Sequence, residues 1–386
     1  MLARWGVQAV LALADGSIYR GKGFGAIGLA VGELCFNTAM SGYQEILSDP
    51  SYRGQIVTLT YPHIGNTGVN PEDMEGARIH CSALVVRNLP RTPSSWRSTQ
   101  SLHAFLQTHQ TPGIAEIDTR ALTRRLRDGG AQNAAVLVGE AVNDDDALAA
   151  ARTFPGLLGR DLVQDVSCRE TGTWNLASGA PDQGYHAQPV TRSQRHVVVY
   201  DFGTKRQILR LLADRACRVT VVPARTAAAE VIDLLPDGVL FSNGPGDPAA
   251  LDYAKEAMRQ IIATGIPTFG LCLGHQLLGL ALGARTIKMK FGHHGANHPV
   301  KDLRSGRVLI TSQNHGFAVD GDTLPDCLIA THISLFDGSL QGMAHRDLPV
   351  FSFQGHPEAG PGPHDASVIF DDFVHAMNQH GGRQHA

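Results

Sequence analysis

Pro267-Thr268-Phe269-Gly270-Leu271-Cys272-Leu273-Gly274-His275-Gln276 runs from a short apolar strand through Leu271 into an apolar helical run, His275 to Leu282. On both sides of it the same alternation repeats. His196 to Tyr200 reads as a buried strand followed by a helix through Ile208, Leu209, Leu211 and Leu212. Arg218 to Val222 (strand), Ala227 to Leu235 (helix), Gly238 to Phe241 (strand) and Tyr253 to Thr264 (helix) lead up to Pro267. Short apolar strands alternating with amphipathic helices predict an α/β fold with a parallel sheet covered on both faces. In such sheets chemistry gathers beyond the carboxyl ends of the strands.

Cys272 falls at such an end, inside Gly-x-Cys-x-Gly. A sharp strand-to-helix turn lifts a nucleophile above a sheet, and flanking glycines relieve the crowding. A helix N-terminus favours thiolate, and the amide of Leu273, the next residue, can face an oxyanion. Taken alone, Cys272 reads equally well as a small buried apolar residue. Two further segments tip the balance. Gln354-Gly355-His356-Pro357-Glu358 follows the strand-like Val350 to Phe353 and supplies a base with a carboxylate to fix its tautomer. Ser242-Asn243-Gly244-Pro245-Gly246-Asp247-Pro248 follows the strand at Gly238 to Phe241, and its glycines let backbone amides come close to a ligand.

The chain has 386 residues, too many for one ordinary core and enough for two. The reading places an N-terminal domain at 1–154, a turn-rich connection at 155–194 and the α/β domain at 195–386. The N-terminal part is mixed α/β. Strand-like runs occur at Gln55 to Thr60, Ala83 to Arg87 and Ala134 to Val138, and helical patterns at Ser101 to Gln107 and Asp118 to Arg127. Arg120, Arg124, Arg125 and Arg127 form a solvated helix face. Arg4 and the apolar run Trp5 to Ala14 loosely mimic an export signal. The Asp15-Gly16 dipeptide makes strand, tight turn, strand through Tyr19 the better account, so no export is inferred. A net charge of −3 argues against a nucleic-acid partner, and no apolar run is long enough for a membrane span. Six scattered cysteines without a Cys-x-x-Cys pair point to reduced thiols in a cytoplasmic protein.

Gly270-Leu-Cys-Leu-Gly-His-Gln276, Ser242 to Pro248 and Gly355-His-Pro-Glu358 together resemble the class I (triad) glutamine amidotransferases over about 196–380. Phe36 to Tyr52, Gln55 to Asn66, Ile117 to Arg120, Lys290 to Gly295, Ser312 to Val319 and Ser334 to Gly338 resemble the small chain of carbamoyl-phosphate synthetase, a likeness weakest near 168–194. The resemblance implies Cys272 as nucleophile, His356 as base and acid and Glu358 as its orienter, with oxyanion amides at Gly244 and Leu273. It implies L-glutamine contacts at Ser51, Gly244, Gly246, Leu273, Gln276, Asn314, Gly316 and Phe317, with Ser51 arriving from the other domain. It also implies hydrolysis of glutamine to glutamate and ammonia, and ammonia delivery to a large subunit that makes carbamoyl phosphate from bicarbonate. No Gly-x-x-x-x-Gly-Lys-Ser/Thr loop is present, so ATP and magnesium are expected on that subunit and no cofactor on this chain. The alternatives are the glutaminase of another synthetase and a stand-alone γ-glutamyl cysteine hydrolase.

Two other patterns are read as structural. Gly23-Phe24-Gly25-Ala26-Ile27-Gly28 matches a dinucleotide fingerprint, but no helix follows it, and a glycine-rich hairpin accounts for it. His293, His294 and His298 fall in a loop with no helical His-x-x-x-His pair, and no metal is expected there.

Overall fold

The computed structural model describes residues 7–179, 186–187 and 195–384. Arg4 and Trp5, and part of the connection placed at 155–194, lie outside the described residues. The chain divides into two compact units, 1–158 with 290–295, and 159–289 with 296–386.

The first unit is built on a closed barrel of seven strands: β1 (Gln8–Leu13), β2 (Ile18–Gly25), β3 (Gly28–Asn37), β4 (Gln55–Leu59), β5 (Ala83–Val85), β6 (Pro112–Ala115) and β7 (Gln132–Gly139). They close in the order β1-β2-β6-β5-β4-β3-β7. The Asp15-Gly16 turn joins β1 to β2 as a hairpin, with Gly16 at φ 97° and the Leu13 amide donating to Ser17 O at 2.9 Å. The glycine-rich stretch from Gly23 to Gly28 is not a hairpin. β2 pairs with β1 and β6, whereas β3 pairs with β4 and β7, so the two strands leave the turn for different neighbours. A closed barrel has no free edge to satisfy, and its interior fills with alternate side chains such as Leu11, Leu34, Ile56, Val85 and Val136.

The α-helices described beside the barrel are α1 (Tyr43–Ser48), α2 (Leu102–Thr108), α3 (Thr119–Gly129) and α4 (Asp144–Thr153). The Asp118 carboxylate caps α3 by accepting from the Ala121 amide at 3.0 Å, which is why the helix begins there. Leu122 and Leu126 face the barrel core, and Arg120, Arg124, Arg125 and Arg127 face water. Residues 290–295 join this unit, with Phe291 stacked on Phe36 at 5.8 Å.

The second unit contains β8 (Gly172–Trp174), a two-residue pair β9 (Leu176–Ala177) and β10 (His186–Ala187), and then β11 (Arg195–Asp201), β12 (Cys217–Pro223), β13 (Gly238–Phe241) and β14 (Thr268–Leu271). β15 (Thr286–Asp302, of which 290–295 belong to the first unit), β16 (Val308–Val319), β17 (Leu328–Ser334), β18 (Leu340–His345) and β19 (Val350–Phe353) follow. β12, β11, β13, β14 and β19 are adjacent in that order and parallel throughout. β17 and β18 extend the sheet antiparallel beyond β19.

The helices are α5 (Arg206–Asp214), α6 (Ala228–Asp233), α7 (Asp252–Ala263), α8 (Leu273–Leu282) and α9 (Val368–Gln384). Alternation along β11 shows both faces covered. Val198 and Tyr200 pack with Val231, Met258 and Leu277 of α6–α8, while Val197 and Val199 pack with Ile208 of α5 and Phe370 of α9. Two readings change here. The stretch expected to be connection contributes a strand, since β8 pairs antiparallel with β12. His293, His294 and His298 lie in strand β15, not in a loop. Among the described residues, no group of three His, Cys, Asp or Glu side chains could hold a metal ion, and no helix is long and apolar enough to cross a membrane.

Candidate active site

Cys272 stands between β14 and α8 at φ 52°, ψ −100°, a backbone conformation that non-glycine residues rarely hold. Close packing imposes it. A Cβ on Gly270 would lie 2.6 Å from Gly274 O, and one on Gly274 would lie 2.1 Å from Phe241 O, so only glycines allow the turn to be this tight. The helix begins at Leu273, two residues earlier than the sequence pattern suggests, and the thiol therefore occupies its N-cap. At that position the Leu273 amide has no intrahelical carbonyl to bind. The Cys272 thiol is buried and lies 3.6 Å from the carbonyl oxygen of Asn314 on β16.

His356 and Glu358 follow β19, the parallel neighbour of β14, so both arrive at the same end of the sheet as the thiol. His356 Nδ1 lies 2.6 Å from Glu358 Oε1. That leaves Nε2 without a hydrogen-bond partner among the described residues. The Cys272 sulfur approaches the ring closely enough to act on its protonation, though outside ordinary hydrogen-bond geometry. Burial pulls the His356 pKa down, but the Glu358 charge and the Cys272 sulfur outweigh it and hold the imidazole well above the usual histidine value. For Glu358 burial pushes up, and the Lys205 ammonium and the His356 ring overcome it, holding the carboxyl well below the usual range.

Lys205 went unnoticed in the sequence. Its ammonium is 3.0 Å from Glu358 Oε1 in a site where both side chains are almost wholly enclosed, and it also donates to the Ala359 carbonyl. Lysine is normally read as a surface residue. The signal available was position: Asp201 to Lys205 directly follows β11, and strand ends are where this architecture gathers function. Asn243 fixes that turn. Its Oδ1 accepts from the Lys205 amide at 3.2 Å and its Nδ2 donates to Gly203 O at 2.9 Å.

The remaining candidates other than Ser51 belong to the second unit. Gly244 packs so tightly beside Leu273 that a Cβ would lie 2.8 Å from Leu273 Cδ2 and 2.2 Å from Phe202 O. Gln276, on the first turn of α8, donates from Nε2 to Phe317 O at 2.8 Å and to Gln354 Oε1 at 3.1 Å. His315 Nδ1 lies 2.8 Å from the same Phe317 carbonyl, so two side chains from different elements fix the backbone at Gly316-Phe317. Gln354 and His315 are further residues the sequence reading did not single out. Ser51 belongs to the first unit, where it is buried in a single 3-10 turn and its amide donates to Asp49 Oδ1 at 2.9 Å.

Residues 198–376 match the family described as glutamine amidotransferase class-I, and residues 11–136 the one described as carbamoyl-phosphate synthase small chain, CPSase domain. The carbamoyl phosphate synthase small chain of Thioalkalivibrio sulfidiphilus is 61% identical over 381 residues, covering 97% of this chain and 99% of the relative. Those of Vibrio vulnificus and Pseudomonas aeruginosa are each 58% identical, over 378 and 370 residues, covering 97% and 96% of this chain and 99% and 98% of the relatives. Identity at this level along nearly the whole length of both chains makes this chain a member of the carbamoyl phosphate synthase small chain family.

Proposed function

We propose that this chain hydrolyses L-glutamine to glutamate and ammonia through a γ-glutamyl thioester on Cys272, and passes the ammonia to a large subunit. The observation that carries this reading is the row of buried groups at one end of the parallel sheet: the Cys272 sulfur beside the His356 ring, and the ring against Glu358. A ring whose protonated form is favoured by a carboxylate and a sulfur pairs naturally with a thiolate, the nucleophilic form of cysteine.

In the proposed cycle the Cys272 thiolate attacks the side-chain carboxamide carbon of glutamine. The amides of Gly244 and Leu273 hold the oxyanion, and the C–N bond breaks as His356 gives its proton to the departing ammonia. His356 then takes a proton from water, which attacks the thioester and frees glutamate and the thiolate. Gly246, Gln276, Asn314, Gly316 and Phe317 are proposed to hold the rest of glutamine. The fixed backbone at Gly316-Phe317 supports that role, since a ligand held by main-chain groups needs them immobile. The large subunit is proposed to carry ATP and magnesium and to make carbamoyl phosphate from bicarbonate in the cytoplasm, for arginine and pyrimidine synthesis. Family membership supports this part of the reading.

Cys272→Ala tests it. Glutamine-dependent carbamoyl phosphate synthesis by the complex should fall by at least about a thousandfold, the scale on which removing a covalent nucleophile acts. Synthesis from added ammonia should persist. Glutamate still released from glutamine at the unaltered rate would overturn the assignment.

A further inference from the structure

We infer that Asp247 is a positioning residue for the reaction, holding the Gly244–Gly246 loop in place by tying it to a backbone strap at residues 159–163. The inference rests on the proposed glutaminase reading and adds to it the part that keeps the oxyanion loop still.

Asp247 is buried, and both carboxylate oxygens are engaged. Oδ1 accepts from the Ala249 amide at 2.9 Å, capping the single 3-10 turn that ends the loop. Oδ2 accepts from the Gly159 amide at 2.9 Å. The Asp247 amide donates in turn to Arg160 O at 3.2 Å, so loop and strap are joined twice in a reciprocal pair. The approach is close enough to require glycine on the loop side. Gly246 has φ 92°, and a Cβ there would lie 2.8 Å from Arg160 O and 3.3 Å from the Leu162 amide nitrogen.

The strap is itself anchored. Asp161 receives a hydrogen bond from the Val163 amide at 3.1 Å and an ion pair from Arg225 at 3.0 Å, and the Arg225 guanidinium lies over the Tyr253 ring at 4.1 Å. Val163 is fully buried in the core with Tyr200, Phe202 and Phe241. Further along, the Cys168 amide donates to Asp201 Oδ2 at 2.7 Å, and Asp201 Oδ1 accepts from Gly203 and Thr204 at 3.0 and 2.7 Å, shaping the turn that carries Lys205.

One stretch of backbone, 159–168, therefore braces two loops: one bearing the Gly244 amide, the other bearing the lysine paired with Glu358. An amide aimed at a developing oxyanion is useful only when held to a fraction of an ångström. A glycine- and proline-rich loop cannot hold itself that still, because its own backbone is free to rotate about the glycines. Asp247 supplies the missing restraint without touching substrate.

The test compares the full-length wild type with Asp247→Asn, which retains one oxygen to cap Ala249 and replaces the acceptor of the Gly159 amide by a donor. Three quantities are read: kcat and KM for glutamine hydrolysis, the rate of Cys272 alkylation by iodoacetamide, and Tm. Alkylation needs a thiolate but no oxyanion hole, so it separates a misplaced loop from a damaged centre. We expect kcat to fall about tenfold, the scale of a sub-ångström misplacement, while KM and the alkylation rate stay within about twofold. Gly159→Ala is the second variant. No atom obstructs a Cβ there, but φ 72° disfavours one, so the strap should shift slightly and kcat fall about threefold. An unchanged kcat in both variants would overturn the inference, as would parallel losses of kcat, alkylation rate and Tm, which mark a merely structural role. If Cys272→Ala also left hydrolysis intact, the glutaminase reading itself would fail; if only the Asp247 result failed, that reading would stand.

Discussion

In the barrel unit Arg20 meets Asp144 at 2.6 Å, Lys22 meets Glu116 at 2.6 Å and Arg125 meets Asp15 at 2.8 Å, each arginine or lysine with about half or more of its side chain in water. In the sheet unit Lys205 and His356 meet Glu358 at 3.0 and 2.6 Å, with side chains no more than 2% exposed. The separations match and the surroundings do not. Water screens the first set and leaves it marginal. The second set has given up its hydration, so each charge depends on its neighbours, and the protonation of one is set by the others. Short charge separations are therefore a poor guide to what a charged group does, and enclosure is the better one.

Lys205→Met strains this contrast hardest. It keeps the bulk of the side chain but leaves Glu358, among the described residues, with His356 as its one charged partner. Breaking a buried pair by removing one member costs about 3–5 kcal/mol, and urea unfolding at pH 7 should show a loss of that order. The sign of its pH dependence is fixed. Glu358 has a depressed native pKa, so its contribution is present above the ordinary carboxylate range and fades as pH falls through the native value. The gap between wild type and variant should therefore narrow on acidification. A gap that stays constant from neutral pH down to acid would mean that the enclosed ammonium does little for the carboxylate.

Glu358→Gln sharpens the contrast from the other side, with a smaller expected effect. The carboxylate is a principal cause of the raised His356 pKa, so its loss should move the imidazole titration to lower pH, as followed by NMR of labelled histidine. In the wild type the stabilisation from this raised pKa is complete below the ordinary histidine value and is lost as pH rises through the native one; in the variant that loss should come earlier. With the tautomer no longer fixed, kcat for glutamine hydrolysis should fall by on the order of a hundredfold, the lower end of what positioned acid–base catalysis contributes. An unmoved His356 titration would show that the carboxylate does not control the ring.

The same contrast explains what could be read from the residues and what could not. That Cys272, His356 and Glu358 share one end of the sheet was legible because strand ends are visible as apolar runs, and each of these residues closes or follows one. The hairpin at Asp15-Gly16 and the cap at Asp118 were legible because turn and cap chemistry is local. Barrel closure was not, because it depends on β7 pairing with β1 and β3, partners about a hundred residues or more away in sequence. The Gly23–Gly28 stretch looked like a hairpin for the same reason, since a turn specifies a reversal of the chain but not which strands then pair. Lys205 was missed because composition rules place lysine in water. The strap at 159–168 was missed because it works through main-chain groups, with the Gly159 and Cys168 amides and the Arg160 carbonyl carrying no side-chain signature.

Arg125→Ala should have the smallest effect of all and is for that reason a fair attempt to break the contrast. Its guanidinium pairs with Asp15 at 2.8 Å, shorter than the 3.0 Å between Lys205 and Glu358, yet Asp15 keeps the Ser17 amide on Oδ1 at 2.9 Å and Gln132 Nε2 on Oδ2 at 3.3 Å when the arginine is gone. An exposed pair of this kind contributes about 0–1 kcal/mol, and salt screens it further. Urea unfolding at low and high salt should place the variant within that range of wild type, with the difference shrinking as salt rises. A loss of several kcal/mol that persists in high salt would show that the hairpin at Asp15-Gly16 is held by its ion pair after all, and that enclosure is not what separates the two sets of charges.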